Sequence, residues 1–187
     1  MPPPSRIALC MLLLSGATVL CAQQPRPADL AVTYVSQRSL RSNTGQNFWM
    51  EGGSAELGFN LWHGLGPAAD FTGSHTSSIG SSGVPLVLTT ATFGPRYRWR
   101  AARRVSIYGQ ALFGVASGSS SVFPTPSGTE SSARSFALQL SGGIDYRLSR
   151  HFAVRAIDLG YLHSALPNGN NNVQNNLRLG AGAVFRF

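Results

Sequence analysis

The clearest pattern in the sequence is a strict two-residue alternation over the thirteen residues 136–148. One face is apolar or small: Phe136, Leu138, Leu140, Gly142, Ile144, Tyr146 and Leu148. The other is small, polar or charged: Ala137, Gln139, Ser141, Gly143, Asp145 and Arg147. A period of two belongs to a β-strand, whose successive side chains point to opposite sides. Since a strand needs roughly 9–11 residues to cross a bilayer, this stretch predicts a membrane-spanning strand.

The orientation of this strand follows from the cost of placing charge in lipid. Turning it over would expose Gln139, Asp145 and Arg147 to the bilayer. An arginine on the lipid face costs roughly 2–4 kcal/mol at the midplane. We therefore expect the apolar face to point outward.

Similar alternation recurs along the chain. The predicted strands cover residues 30–38, 49–62, 66–74, 86–99, 105–116, 136–148, 152–162 and 177–187. The connections alternate between short ones (near 63–65, 100–104 and 149–151) and long ones (near 39–48, 75–85, 117–134 and 163–175). Short periplasmic turns and long outer loops are typical of bacterial outer-membrane barrels. The predicted fold is all-β, an eight-stranded antiparallel up-and-down transmembrane β-barrel with both chain ends on the periplasmic side.

Two residues fit this pattern poorly. Pro95 lies within the fourth strand and lacks a backbone donor, so we expect a bulge or local break at Gly94–Pro95. Arg155 falls on the lipid face of the seventh strand, about four residues from a short turn. We expect its side chain to extend to the membrane interface.

Residues 1–22 have the pattern of a cleaved signal peptide. Arg6 precedes an apolar run that is too short to span a bilayer comfortably, and Ala22 precedes a polar stretch. Acylation at Cys21 is the alternative. Cys10 and Cys21 both lie in this segment, so residues 23–187, the predicted barrel domain, contain no cysteine for a disulfide, a thiolate metal site or a nucleophile.

The formal net charge of +8 comes from 15 arginines and 7 acids, with no lysine. A basic balance can indicate nucleic-acid binding. Here the arginines occur singly or in pairs within strand-like stretches, which favours charges that line a barrel interior or its rims. The predicted lumenal charge network contains Glu56, Asp70, Arg96, Arg98, Asp145, Arg147, Asp158, Arg178 and Arg186. It forms either a salt-bridged plug or a narrow ion path, and the small interior of an eight-stranded barrel favours the plug.

Aromatic residues near the predicted strand ends indicate interfacial belts. The periplasmic belt contains Tyr97, Trp99, Phe185 and Phe187, and the outer belt contains Phe48, Trp49 and Tyr161. No catalytic, metal or cofactor site is predicted from the four scattered histidines. His163 and Ser164 are adjacent in a strand and so point to opposite faces, and His75 lies beside Ser74 in a predicted loop.

Four segments resemble the family of outer-membrane protein A and its small eight-stranded relatives. They cover residues 93–97, 110–114, 142–147 and 176–187. Gly160 stands where the resemblance would place an acidic residue. The resemblance implies that Phe187 forms part of the signal read by the barrel-assembly machinery. We also expect a monomer in contact with outer-membrane lipid and lipopolysaccharide, with neither a cofactor nor a nucleic-acid partner.

The leading functional hypothesis is a structural outer-membrane protein with a surface-contact role through its long outer loops. These loops are rich in Ser, Gly, Asn and Thr, which suits exposed segments that bind partners. A narrow ion or small-solute channel and a lipid A-modifying barrel enzyme are the alternatives.

Overall fold

A computed structural model describes residues 28–40, 47–168 and 172–187. These residues form eight strands: β1 Ala28–Ser39, β2 Trp49–Phe59, β3 Leu65–Thr76, β4 Leu86–Arg100, β5 Val105–Thr125, β6 Gly128–Arg147, β7 Phe152–Ser164 and β8 Gln174–Arg186. Each strand pairs antiparallel with the next along the chain, and β8 pairs with β1 to close a barrel. The predicted fold class is confirmed. The predicted signal peptide lies outside the described residues.

The seam between β1 and β8 runs from Asp29 opposite Arg186 to Ser39 opposite Asn176. It is extended by a hydrogen bond from the Phe187 N–H to the Ala28 carbonyl. Closure pairs the backbone groups of both terminal strands, as a lipid environment requires. Within the described part of the chain, no helix is long and apolar enough to span a membrane.

The distribution of side chains is the reverse of that in a water-soluble protein. Large apolar residues point outward and are exposed, including Phe71, Phe93 and Phe113 at 57%, 62% and 50%. Charged residues such as Glu56, Asp70 and Arg96 point inward and are buried. In water this continuous apolar outer surface would leave a large hydrophobic area exposed. In a bilayer the acyl chains cover it.

The hairpin of β5 and β6 corrects the prediction of a long loop over residues 117–134. Both strands continue through most of that range, and residues 126–127 form the turn between them. The pairing register shifts between Ser119 and Phe123, where Ser120 has a φ of 59°. A Ser- and Gly-rich composition is typical of a loop, which is why the sequence predicts one here. The residues of β5 by themselves do not indicate that they pair with β6.

Of the two alternatives expected at Gly94–Pro95, a bulge or a local break, the structure shows the local break and no bulge. Strand β4 is continuous there, and its register with β5 is the same on both sides, with Phe93 opposite Phe113 and Arg96 opposite Gln110. The pairing with β5 is interrupted only at Gly94 and Pro95. Pro95 is exposed on the outer face. The strand therefore accommodates the missing donor without an inserted residue.

The outward placement predicted for Arg155 is wrong. Its side chain is fully buried inside the barrel. The registers of β7 with both neighbours shift near Ala156, so that one additional residue enters β7 at this point. This bulge reverses the face on which the preceding residues lie, so Ala153 and Arg155 point inward while Val154 points to lipid.

Candidate functional site

A ring of ion pairs fills the half of the barrel interior next to the short turns and the two ends of the barrel chain. Carboxylates and guanidinium groups alternate around it in the order Asp29, Arg96, Glu56, Arg155, Asp145 and Arg98, and Arg98 returns to Asp29. The six nitrogen–oxygen distances lie between 2.7 and 3.1 Å. With three charges of each sign, the ring is neutral.

The ring crosses the lumen rather than following its wall. Arg155 on β7 reaches Glu56 on β2, and Arg96 on β4 reaches Asp29 on β1. Only the pair between Arg155 and Asp145 joins neighbouring strands. The Arg155 guanidinium also lies 4.2 Å from the ring centroid of Tyr108, in cation–π geometry. These side chains therefore occupy the central space that an ion path would need.

A second charged group lies above the ring, around Arg178. Its guanidinium contacts Asp70 and Asp158, each at 3.1 Å, and donates to the Ser54 hydroxyl at 2.7 Å. The Tyr108 hydroxyl donates to Asp158 at 2.9 Å. Buried charges are tolerated when they are paired and hydrogen-bonded. Here one guanidinium serves two carboxylates, which also accept hydrogen bonds from the hydroxyl groups of Thr72 and Tyr108.

The structure brings seven of the nine residues of the sequence-predicted network into short ion pairs. The other two, Arg147 and Arg186, lie at the rim next to the short turns. The Arg147 guanidinium donates to the Arg103 carbonyl, and Arg186 is 3.9 Å from Asp145. Sequence reasoning missed Asp29 and Arg155. A usable signal existed for Arg155, since a lipid-facing arginine is costly enough to favour a bulge that turns it inward.

An apolar cluster fills the outer half of the interior. Its buried members are Phe48, Met50, Leu86, Leu88, Ala116, Phe123, Ala137, Leu162 and Leu166. The shifted register of β5 places Phe123 in this cluster, against Gly118. An added Cβ at Gly118 would lie 2.4 Å from that ring, so any other residue here would force the Phe123 ring to shift. The interior is thus closed by ion pairs below and by apolar side chains above.

The predicted belt aromatics lie on the outer surface, with one exception. Trp49, Tyr97, Trp99, Phe185 and Phe187 are all exposed, at 40% or more, and Tyr161 is half-buried. Phe48 is instead 8% exposed and belongs to the apolar cluster. Its neighbour Trp49 begins β2 facing outward, so alternation sends Phe48 to the interior.

Polar residues form a row on the outward face near the outer end. Glu51 accepts hydrogen bonds from the Ser36 hydroxyl at 2.9 Å and the Tyr34 hydroxyl at 2.5 Å, and His75 lies opposite Glu51 in the sheet register. The carboxylate stands between the serine and the histidine. A nucleophilic relay needs the histidine between the other two, so this order does not form one.

The remaining histidine candidate is also separated from its neighbour. His163 Nδ1 lies 2.8 Å from the Asn175 side-chain oxygen, while Ser164 is fully buried on the opposite face. Among the described residues, no group of three His, Cys, Asp or Glu side chains could hold a metal ion.

The sequence matches the family model described as the outer membrane protein beta-barrel domain, over residues 7–187. The chain belongs to this family. It is therefore an outer-membrane barrel protein, and its compartment is the bacterial outer membrane. In barrels of this membrane the short turns face the periplasm, so the end that carries residues 60–64, 101–104 and 148–151 is periplasmic.

Solved outer-membrane barrels share this fold. Ail, the attachment invasion locus protein of Yersinia pestis, in complex with the heparin analogue sucrose octasulfate, is 19% identical with a TM-score of 0.58, over 88% of this chain and 100% of Ail. Neisserial surface protein A (NspA) is 17% identical with a TM-score of 0.62, over 88% of this chain and 98% of NspA. No curated protein matches the sequence. At these identities the likeness shows the fold alone.

Proposed function

We propose that this outer-membrane barrel is a closed, non-conducting structural protein that makes surface contacts through its β5–β6 hairpin. The observation that carries the proposal is the filled interior. The ion-pair ring and the apolar cluster occupy successive levels of the lumen, so the outer surface is the part open to partners. An interior of this size holds side chains rather than a water-filled channel.

The hairpin offers a backbone edge for such contacts. Strand β6 pairs with β7 only from Ala137 onward, so residues 128–135 extend beyond that neighbour. The opposite edge, on β5, is interrupted by the register shift after Ser119 and by Pro124. Bulges and prolines protect an edge from pairing, whereas the β6 edge has neither. An extended protein segment adding to that edge is the partner that we propose.

The described charges at this end do not favour an anionic partner. Among the described residues near the outer end, the two basic residues Arg38 and Arg134 are equal in number to the two acidic residues Glu51 and Glu130. A strongly anionic ligand would need an excess of basic groups. Backbone hydrogen bonding along the β6 edge is therefore the proposed source of affinity.

Planar-bilayer recordings of the purified barrel test the structural part of the proposal. We expect no steady conductance above that of the protein-free bilayer. Large, steady openings would show that the interior is not a plug, and the proposal would then be withdrawn.

A pair of variants at Ser131 tests the contact surface. Ser131 has no partner in the register with β5, because it lies opposite the bulge. Ser131→Pro removes the N–H of this edge residue, and Ser131→Ala keeps it. We expect bacteria that display Ser131→Pro to lose most of the barrel-dependent attachment to an epithelial monolayer, and Ser131→Ala to keep it. Equal attachment by both variants would refute edge pairing.

A further inference from the structure

A basic cavity lies at the periplasmic mouth of the barrel, between the turn that joins β4 to β5 and the neighbouring strand ends. Its volume is about 420 Å³. Six arginines line it: Arg98, Arg100, Arg103, Arg104, Arg147 and Arg186. The one acidic residue in its lining is Asp29, which already accepts hydrogen bonds from Arg96 and Arg98.

The positive charge of this cavity is not balanced by the protein. Within the described ranges of the chain, no carboxylate forms an ion pair with Arg100, Arg103, Arg104 or Arg147. The turn is nevertheless held in place, because the backbone N–H of Arg147 donates to the Arg104 carbonyl at 2.7 Å. Like charges held close together repel, and a bound anion would offset that repulsion.

Two unpaired donors lie in the lining of the cavity, and similar unpaired arginine nitrogens occur in the closed interior at Arg96 and Arg178. The Nε atoms of Arg98 and Arg186 are buried and have no hydrogen-bond partner. Arg98 as a whole is 8% exposed, so bulk water reaches little of it. A buried N–H without an acceptor is costly, and an anionic oxygen entering the cavity would satisfy it. Guanidinium groups bind phosphate oxygens well because their planar donors match them two at a time.

The level of the cavity relative to the membrane indicates where a bound anion would come from. Tyr97 and Trp99, exposed members of the periplasmic aromatic belt, contribute to its rim from the outer face of β4, opposite the face that carries Arg98. Aromatic belts lie at the level of lipid headgroups, and Arg100 follows Trp99 directly. The arginines thus lie at the depth where the phosphates of the inner leaflet are found. We propose that this cavity binds the phosphate group of an anionic glycerophospholipid of the periplasmic leaflet.

Native mass spectrometry of the folded barrel in detergent tests this site. The barrel is titrated with phosphatidylglycerol and, in parallel, with zwitterionic phosphatidylcholine. We expect one phosphatidylglycerol to bind at concentrations at least about tenfold below those needed for phosphatidylcholine, because the guanidinium groups favour a net negative headgroup. Equal binding of the two lipids would overturn the proposal.

Variants then locate the binding. Arg103→Gln combined with Arg104→Gln removes two charges from the cavity, and Arg100→Gln provides a second, independent test. Arg150→Gln is the matched control, since Arg150 is exposed on the turn between β6 and β7 and does not line the cavity. We expect the double variant to weaken phosphatidylglycerol binding at least about tenfold, Arg100→Gln several-fold, and the control less than about twofold. Equal losses in all three would show diffuse attraction to a basic rim and would refute a site.

Glycerol phosphate distinguishes a lipid from a soluble phosphate ester. We expect it to displace the lipid only at concentrations at least about a hundredfold higher, because it lacks acyl chains that pack on the outer wall. Displacement at equal concentration would refute the assignment to a lipid. Heat-dependent electrophoretic mobility confirms that each variant is folded before it is compared.

Discussion

The buried position of Arg155 leads to a sharp stability prediction. The side chain contacts Glu56 at 3.0 Å and Asp145 at 3.1 Å and stacks on Tyr108. Arg155→Met keeps an unbranched, polarisable side chain against the tyrosine ring while it removes the charge. The substitution opens the ring of ion pairs and leaves the ring with one uncompensated negative charge.

The magnitude follows from what each carboxylate retains. Removing one partner of a buried ion pair costs about 3–5 kcal/mol, because the other charge stays buried without compensation. Glu56 keeps Arg96 at 3.1 Å, and Asp145 keeps Arg98 at 3.1 Å. We therefore expect a loss at the lower end of that range, about 3 kcal/mol in the free energy of unfolding.

Urea unfolding and refolding in phospholipid vesicles, followed by tryptophan fluorescence, measures this loss. Arg134→Met, at an exposed arginine on the β5–β6 hairpin, is the control, and we expect it to change the free energy by less than about 0.5 kcal/mol. If Arg155 extended to the membrane interface, its substitution would behave like the control. A loss below about 0.5 kcal/mol would therefore refute the inward placement and the ring.

Further predictions use the same unfolding measurement unless stated. Arg178→Met should lower the free energy of unfolding by more than Arg155→Met does, by about 5 kcal/mol. The reason is that, among the described residues, Arg178 is the only arginine in contact with Asp70 and Asp158. A loss equal to or smaller than that of Arg155→Met would contradict this. Gly58→Ala should destabilise by about 1–3 kcal/mol, since its Cβ would lie 2.0 Å from Nη2 of Arg96, whereas Gly109→Ala, where the Cβ meets nothing within 4 Å, should be nearly neutral. Phe123→Ala should cost about 3 kcal/mol by removing a ring from the apolar cluster, and an unchanged midpoint would show that the ring does not pack there. Phe187→Ala should lower the amount of barrel inserted in cell outer membranes and leave refolding into vesicles unchanged; equal loss in both assays would indicate a folding defect rather than a lost assembly signal.

Much of the architecture could be predicted because its signals are local. Alternation with a period of two reports which residues face lipid, and it requires no knowledge of which strands pair. The alternation of short and long connections also predicts an even number of strands and places both chain ends on the same side of the membrane. The inward position of residues such as Glu56, Asp145 and Arg178 follows from the same local rule.

The candidate site needed the tertiary structure. Asp29 and Arg96 are 67 residues apart in the chain, and nothing near either residue names the other as its partner. The curvature and closure of the barrel decide which inward side chains meet across the lumen. The separation of the interior into a charged half and an apolar half has the same origin, because members such as Met50 and Leu162 come from different strands.

The sequence by itself determined the strands, their outward and inward faces, and the class of membrane. The tertiary structure decided where that alternation breaks. One additional residue at Ala156 turns Arg155 inward, and the register shift after Ser119 turns Phe123 into the barrel mouth. The physical reason is that a bulge is set by pairing with a distant strand, while the periodic pattern that predicts a strand is carried by neighbouring residues alone.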